Sequence, residues 1–357
     1  MRLARCDCQL LHLPGGNVRG PERVAVLLVS LETDVGLHGL GFAYTIQGSG
    51  RALLATAEDD IAPNLVGQDP LDHERLAALV YWKLQSIGRR GLVAQAYSAF
   101  DLAFWDLKGK AANLPLYKLL GGARASAPAF IGDVGWPGPD ASEVLDAARP
   151  LLERGLMGIK LFQSGNPEED ADRTQRVREA LGDDTWLAVD AGQRYDYATA
   201  LAMGHFFEEE IGADWFENPV PCEDVAAHQR LASKLELPLA AGSHLFGRDE
   251  FEAYVAGNGV TILRPDVTRL GGLTAWLKVA ALAEAHHLRV VPHVLPEVGV
   301  HLACGLPVVS NVEYVAWLQP LWTAATLFER GEMLPPIGPG LGVEVDREAV
   351  GKYRVGR

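Results

Sequence analysis

Hydrophobic and polar residues follow two different patterns along the chain, and the change falls near residue 126. Before it, residues 24–33 and 39–44 have the apolar, β-branched character of strands and are separated by a turn-rich segment, which predicts an antiparallel ribbon. Helical periodicity follows in three stretches, at residues 51–61, 71–86 and 91–112. Strands followed by helices predict an α+β unit over residues 1–125.

Beyond that point, short apolar runs alternate with helical segments. The predicted strands lie at residues 128–131, 158–162, 186–190, 214–217, 237–242, 262–266, 289–293 and 312–315. Helical patterns follow most of them, at residues 141–154, 168–181, 197–210, 226–235, 247–255 and 271–286. Because the last helix is weak, the pattern predicts an α/β fold, a modified TIM barrel of (β/α)7β type over residues 126–325. The Pro/Gly-rich tail, residues 326–357, is predicted to return to the N-terminal unit. An open, doubly wound sheet is the alternative, although no GxGxxG motif follows a first strand.

Composition and charge narrow the functional classes. The chain has 357 residues, of which 48% are hydrophobic, and this suffices for a large core. Its net charge of −14 argues against nucleic-acid partners and anionic membrane surfaces. The four cysteines are scattered and form no metal or redox motif, and no apolar stretch reaches membrane-spanning length. We therefore expect a soluble, cytoplasmic protein with free thiols.

Seven residues at or near the predicted strand ends carry the candidate chemistry. Barrel enzymes place their catalytic groups at the carboxyl ends of the strands. The residues at those ends are Lys160, Asp190, Glu217, Ser243, Asp266, His293 and Glu313. Because six of the seven are ionisable, their crowding requires compensation by a metal ion, by a substrate or by each other.

Two pairs in this set indicate specific roles. Asp266 and His293 end neighbouring strands, so we expect a hydrogen-bonded dyad in which the aspartate fixes the imidazole tautomer and raises its basicity. Asp190 and Glu217 also end neighbouring strands and are expected to hold a hard divalent cation, Mg²⁺ above all. Asp266 is alternatively a metal ligand, and Lys160 is expected to face His293 across the mouth of the barrel.

Eight sequence segments span nearly the whole chain in a recognisable order. They are FDLAFWDLKGKAANLPLYKLLGG, GIKLF, AVDAGQ, WFENPV, LPLAAG, RPDVTRLGGLT, VVPHV and VEYV. This order resembles the enolase superfamily and, within it, the mandelate racemase subgroup. The resemblance implies an N-terminal α+β capping domain over the barrel, a magnesium-assisted reaction on a small-molecule carboxylate, and a homo-oligomer. It also implies that Lys160 and Glu313 bind the substrate, the latter through a hydrogen bond to the substrate carboxylate.

The chain departs from that family at the predicted metal site and at one base. The family pattern has a third metal-binding carboxylate at the end of the fifth strand, where this chain has Ser243. A neutral hydroxyl is a weaker ligand, so we expect Mg²⁺ to bind weakly, with His244 as the first alternative ligand. Gly192 stands where an asparagine is usual. The second lysine of the family's K-x-K motif, a base opposite the histidine, is replaced by Phe162, which favours one-base chemistry on His293.

The resemblance and the single base together predict a dehydratase. His293 would remove the proton α to a carboxylate, and water would then leave from the β-carbon of a polyhydroxy (sugar) acid, giving a 2-keto-3-deoxy acid. Loops at residues 15–20 and 45–50 of the cap are expected to close over the site. A racemase or epimerase of a 2-hydroxy acid is the first alternative, and a family member that binds a ligand without turnover is the second.

Overall fold

The computed structural model describes residues 1–15, 20–46, 48–138, 140–326 and 328–356. Residues 16–19 and 47, which belong to the two loops expected to close over the site, lie outside the described residues. Within the described ranges, an α+β cap packs against a domain of parallel strands and helices. No helix in these ranges is long and apolar enough to cross a membrane.

The cap is built on a three-stranded antiparallel sheet. Its strands are β1 (Leu3–Pro14), β2 (Arg23–Thr33) and β3 (His38–Ile46), paired in that order. The helices described after them are α1 (Gly50–Ala55), α2 (Ala62–Leu65), α3 (His73–Lys83), α4 (Leu92–Ala112) and α5 (Leu116–Leu119), with a π-helical segment (Thr56–Ile61) between the first two. Strand β3 lies so close to α4 that a Cβ atom at Gly41 would come within 1.9 Å of the Ala99 carbonyl oxygen. Glycine is required for so close an approach.

Parallel strands and helices alternate through the second domain, as predicted. The parallel strands among the described residues are β4 (Ala127–Gly135), β5 (Gly158–Phe162), β6 (Trp186–Asp190), β7 (Trp215–Glu217), β8 (Leu239–Ala241), β9 (Ile262–Leu263), β10 (Arg289–Val290) and β11 (Val312–Tyr314). The helices between them are α6 (Ala141–Leu152), α7 (Pro167–Leu181), α8 (Tyr197–Glu209), α9 (Val225–Ala232), α10 (Arg248–Ala256), α11 (Leu273–Ala285) and α12 (Pro296–Gly305). Neighbours pair in parallel from β4 to β10, and β11 pairs with β4. The predicted fold class, an α/β domain behind an α+β cap, is confirmed.

Among the differences from the sequence prediction, those in β9, β10 and helix α12 lie nearest the predicted site residues. Strands β9 and β10 end early, so that Asp266 and His293 lie in the loops beyond them. Pro265 and Pro292 stand just before these residues and lack the N–H group that would continue the ladder. Helix α12 was not predicted, because all of its residues are buried and a helix without a solvent-exposed polar face shows no amphipathic periodicity.

The tail of the chain contacts both domains. After a 3₁₀ turn at Gln319–Leu321, strands β12 (Phe328–Glu329) and β13 (Glu332–Met333) form a hairpin, and β13 pairs antiparallel with β4. Helix α13 (Arg347–Tyr353) follows, and the Val355 N–H donates to the Leu10 carbonyl of β1 at 2.9 Å. The domain boundaries at residues 125 and 325 remain predictions.

An apolar layer between the parallel strands supports the site. Its buried residues lie on or directly after six of the parallel strands and are Phe130, Ala188, Trp215, Ala240, Ile262 and Val291. The rings of Phe130 and Trp215 lie 5.5 and 5.4 Å from the guanidinium carbon of Arg264. A layer of charged side chains therefore rests directly on this apolar one.

Candidate active site

A pocket of about 180 Å³ opens where the parallel strands meet the cap, and Tyr44 and Ile46 of β3 form part of its wall. Of the seven predicted site residues, the wall includes Asp190, Ser243, His293 and Glu313. The other three are buried behind it: Asp266 contacts His293, Lys160 contacts Asp190 and Glu313, and Glu217 contacts Lys160. The structure therefore brings all seven together, while their roles remain predictions.

Asp266 and His293 form a hydrogen-bonded pair in the pocket wall. His293 Nδ1 lies 2.9 Å from Asp266 Oδ2. The Thr268 N–H and hydroxyl donate to Asp266 Oδ1 at 2.8 and 2.7 Å, and the Tyr44 hydroxyl donates to Oδ2 at 2.7 Å. Burial alone would raise the pKa of Asp266, but the hydrogen bond from His293 and the charge of Arg269 outweigh burial and hold this pKa well below its usual range. Asp266 is therefore ionised and fixes the imidazole proton on Nδ1.

His293 retains one free ring nitrogen. Its side chain is 11% exposed, and only Nδ1 has a hydrogen-bond partner within the described residues. Burial lowers the pKa of His293, and the hydrogen bond to Asp266 offsets burial only in part, so the pKa lies below its ordinary value. Asp266 raises the pKa of His293, as expected, but burial lowers it by more. A neutral imidazole with a free Nε2 is nevertheless the form in which a general base accepts a proton.

Lys160 lies within a group of three carboxylates. Its fully buried ammonium is 3.3 Å from Asp190 Oδ2, 3.3 Å from Glu217 Oε2 and 2.9 Å from Glu313 Oε1. Burial alone would lower the pKa of Lys160, but Glu217 and Glu313 outweigh burial and raise it. Lys160 therefore stays protonated and is unsuited to act as a second base, which agrees with the one-base chemistry expected from Phe162.

Arg264 belongs to the same cluster and was missed by the sequence analysis. It is fully buried, its Nε lies 3.1 Å from Glu217 Oε1, and its Nη2 forms an ion pair with Glu313 Oε2. Its Nη1 donates to the carbonyl oxygens of Val291 and Pro292 at 3.4 and 3.2 Å. The available signal was a charged residue directly after the apolar strand β9, where it must find a buried partner.

Glu313 is directed toward these two cations. Burial alone would raise the pKa of Glu313, but the charges of Arg264 and Lys160 outweigh burial and hold it well below its usual range. The Val294 N–H donates to Glu313 Oε2 at 3.0 Å. An ionised carboxylate accepts hydrogen bonds and has none to donate. This arrangement therefore gives no support to the predicted hydrogen bond from Glu313 to a substrate carboxylate.

The residues predicted to bind Mg²⁺ do not fit a resident cation. In the part of the chain that the structure describes, no three His, Cys, Asp or Glu side chains are grouped so that they could hold a metal ion. Both oxygens of Glu217 and the Oδ2 of Asp190 are already in contact with Lys160 or Arg264. A divalent cation prefers free carboxylate oxygens, and these are engaged by positive groups.

Ser243 and His244 supply no negative charge in place of the carboxylate that the family pattern has there. Ser243 Oγ accepts a hydrogen bond from Asn218 Nδ2 at 3.1 Å and lies 3.0 Å from His244 Nδ1. Burial and the positive charge of Arg269 lower the pKa of His244 to about 3, so this imidazole is neutral and its Nδ1 is engaged.

Two arginines give the pocket wall its positive character. Arg194 and Arg269 line the pocket, and neither forms a salt bridge within the described residues. Arg194 Nη1 donates to the carbonyls of Gln163 and Ala191 at 3.3 and 3.5 Å, and Arg269 Nη1 donates to the Ser243 carbonyl. Guanidinium groups bind carboxylates through paired hydrogen bonds. The pocket thus combines one neutral base with cationic groups suited to an acid.

The fold is a parallel α/β domain behind an α+β cap, and its pocket holds a histidine that an aspartate orients. Two family models match the chain: the N-terminal domain of the mandelate racemase / muconate lactonizing enzyme family over residues 18–121, and the enolase C-terminal domain-like family over residues 143–349. The chain belongs to the mandelate racemase / muconate lactonizing enzyme family of the enolase superfamily. The resemblance inferred from the sequence motifs is confirmed.

Similar proteins include sugar-acid enzymes with solved structures. The L-talarate/galactarate dehydratase of Salmonella typhimurium is 36% identical over 336 residues, which cover 94% of this chain and 84% of that protein. Its structure with Mg and L-lyxarohydroxamate has a TM-score of 0.93 at 33% identity and covers 99% of this chain and 93% of that chain. The structure of the L-talarate dehydratase of a Polaromonas species, complexed with Mg and L-glucarate, has a TM-score of 0.91 at 36% identity. The match covers 99% of this chain and 98% of that chain. The 3,6-anhydro-α-L-galactonate cycloisomerase of Streptomyces coelicolor is 31% identical over 334 residues, covering 93% of this chain and 92% of that protein.

Proposed function

We propose that the chain dehydrates a polyhydroxy (sugar) acid to a 2-keto-3-deoxy acid. The observation that carries the proposal is the His293–Asp266 pair, which shares its pocket with Arg194 and Arg269. A neutral base beside cationic groups suits removal of the weakly acidic proton α to a carboxylate, because the enediolate that forms is negatively charged.

The relatives support this reaction class. Those from Salmonella and Polaromonas are named dehydratases, and their solved structures hold small acid-derived ligands. These names support the predicted enzyme class and do not favour a racemase or an epimerase. Two-base racemisation is further disfavoured because Lys160 is protonated among carboxylates and Phe162 stands at the position of the second lysine. The substrate of this chain is accordingly a small-molecule carboxylate; its homo-oligomeric state and cytoplasmic location remain predictions.

Each step of the proposed reaction falls to a named side chain. His293 Nε2 takes the α-proton, and the electrons of that C–H bond pass into the carboxylate to form the enediolate. Arg194 and Arg269 balance the charge of this intermediate. The enediolate then expels the β-hydroxyl, which takes the proton from His293 and leaves as water. The remaining enol tautomerises to the 2-keto-3-deoxy acid.

Magnesium was predicted as the cofactor, and the Salmonella and Polaromonas structures hold it. For this chain, the set of ligands alone leads us to expect weaker binding than in those relatives. Asp190 and Glu217 supply two carboxylates where the family pattern has three, and the hydroxyl of Ser243 adds no charge.

The test is a library of sugar acids, with and without added Mg²⁺, in which 2-keto acids are detected. We expect keto acid from at least one member, and we expect His293→Asn to abolish both keto acid and exchange of the α-proton with solvent deuterium. An optical change without keto acid would instead favour an epimerase. A thermal shift without turnover for any member would favour a protein that binds its ligand unchanged.

A further inference from the structure

We infer that two buried side chains, Lys160 and Arg264, take the place of the divalent cation that the sequence predicts for this site. Their partners are the carboxylates of Asp190, Glu217 and Glu313. The catalytic consequence of this inference rests on the proposed function. The binding consequence, that the chain holds no divalent cation at this site, stands by itself.

Every oxygen of the three carboxylates has a nitrogen atom within 3.3 Å, although Glu313 Oε1 contacts Lys160 only as an ion pair and accepts no hydrogen bond within the described residues. Glu217 Oε1 lies 3.1 Å from Arg264 Nε, and its Oε2 lies 3.3 Å from Lys160 Nζ. Glu313 Oε1 lies 2.9 Å from Lys160 Nζ, and its Oε2 is paired with Arg264 Nη2. Asp190 Oδ2 lies 3.3 Å from Lys160 Nζ, and its Oδ1 accepts a backbone N–H at 2.8 Å. A metal ion would have to displace one of these groups to gain a ligand.

The side chain of Arg264 is held in one position by its buried contacts. All three guanidinium nitrogens have partners, since Nη1 is held by the carbonyls of Val291 and Pro292. The aromatic rings of Phe130 and Trp215 lie beneath its guanidinium carbon. Side chain and partners are buried together, so the guanidinium has no alternative position in solvent. An arginine held in this way contributes a permanent positive charge at a fixed place.

The charge balance of the cluster favours the side chains over a metal ion. Three carboxylates against two cations leave one negative charge among the buried groups. A divalent cation added to this cluster would reverse its sign, and an uncompensated buried charge is costly. In a variant that combines Ser243→Glu with Arg264→Met, four carboxylates would face Lys160 alone. That variant would return to a single negative charge only by binding a divalent cation.

The Ser243 side of the site points to the same conclusion. The amide nitrogen of Asn218 lies 3.4 Å from Asp190 Oδ1 and 3.1 Å from Ser243 Oγ. A hydrogen-bond donor thus bridges two of the predicted ligands, where a metal ion would need both oxygens. The consequence is a dehydratase whose activity does not depend on divalent cations.

Calorimetric titration of chelator-treated protein with MgCl₂ alone tests the inference directly, together with thermal unfolding in EDTA and in MgCl₂. For the unmodified chain we expect no saturable heat up to about 10 mM MgCl₂, a range that covers weak metal sites, and the same Tm in both solutions. Ser243→Glu should bind Mg²⁺ weakly, and the double variant Ser243→Glu, Arg264→Met should bind it most tightly, with a Tm that rises in MgCl₂.

Saturable heat with the unmodified chain, lost in Asp190→Asn, would overturn the inference. If the double variant does not fold, the unmodified chain and Ser243→Glu still decide the question. The same Mg²⁺ affinity in the unmodified chain and in Ser243→Glu would show that another residue already acts as the third ligand. These readouts require no turnover, so they are separable from the proposed dehydration. Keto-acid formation that requires Mg²⁺ would overturn the inference and leave the dehydratase proposal standing, whereas equal rates in EDTA and MgCl₂ would support both.

Discussion

The pocket has two sides that balance charge in different ways. On one side, a single histidine is oriented by one aspartate, and that aspartate is held by local donors and by one hydroxyl from the cap. On the other side, three carboxylates are paired with two buried cations, Lys160 of β5 and Arg264 directly after β9. The first side keeps the arrangement that the family pattern predicts, and the second departs from it. In the proposed reaction, proton transfer uses one short hydrogen-bonded chain, whereas charge balance is a property of the whole cluster and can be met by more than one set of groups.

The largest effect is expected from Asp266→Asn on the histidine side. The variant removes the negative charge that stabilises the imidazolium of His293 after proton abstraction. Keto-acid formation should therefore fall by about 100-fold to 10,000-fold, the range associated with a general base. The measurement is kcat/KM for a substrate identified in the sugar-acid screen.

Asp214→Asn is the matched control for that variant. Asp214 accepts a hydrogen bond from the Leu187 N–H at 2.8 Å but does not line the pocket. The activity of the Asp214→Asn variant should therefore stay close to that of the unmodified chain. The pH profile adds a second readout. Because Asp266 raises the pKa of His293, its removal should lower this pKa further and move the acid limb of kcat/KM to lower pH. An acid limb that moves upward would show that another group is the base.

The next effect is expected on the cation side, in stability. Arg264→Met leaves Glu217 and Glu313 without one of their two buried cations. Breaking a buried charge network in this way costs about 3–5 kcal/mol of the free energy of unfolding. Urea unfolding measures the loss. Arg176→Met is the control, because it removes an exposed i, i+4 ion pair with Asp172 that contributes under about 0.5 kcal/mol. An equal loss of unfolding free energy in Arg264→Met and Arg176→Met would show that the buried ion pairs of Arg264 stabilise the fold no more than an exposed ion pair does.

The histidine side was largely predictable from the sequence because its information is local. Asp266 and His293 follow short apolar runs on neighbouring strands, and strand order in a parallel barrel places such residues side by side. The lengths of the last strands were less predictable. Pro265 and Pro292 ended β9 and β10 early, yet the loops still carried the two side chains into contact.

The cation side was only partly predictable. The family resemblance predicted a carboxylate at the position of Ser243, but the sequence did not indicate which groups would pair with Asp190, Glu217 and Glu313. Arg264 gains its role from partners 47 and 49 residues away, and no spacing rule connects positions that far apart. The same limit explains why Tyr44 was missed: its partner Asp266 is 222 residues away and lies in the other domain.

The smallest predicted effect tests this contact between the cap and the histidine side. Tyr44→Phe removes the hydroxyl that donates to Asp266 Oδ2 at 2.7 Å, while the histidine and Thr268 continue to hold the aspartate. A hydrogen bond to a charged group contributes on the order of 1.5–3 kcal/mol, and the remaining donors make up part of it, so kcat should fall about tenfold with little change in KM. Tyr254→Phe is the matched control, because its hydroxyl donates to the Cys222 carbonyl at 2.7 Å outside the pocket wall. Both variants should lose some stability, but only Tyr44→Phe should lose activity. If the two lose activity equally, the cap hydroxyl acts through folding alone and the histidine side is complete without it.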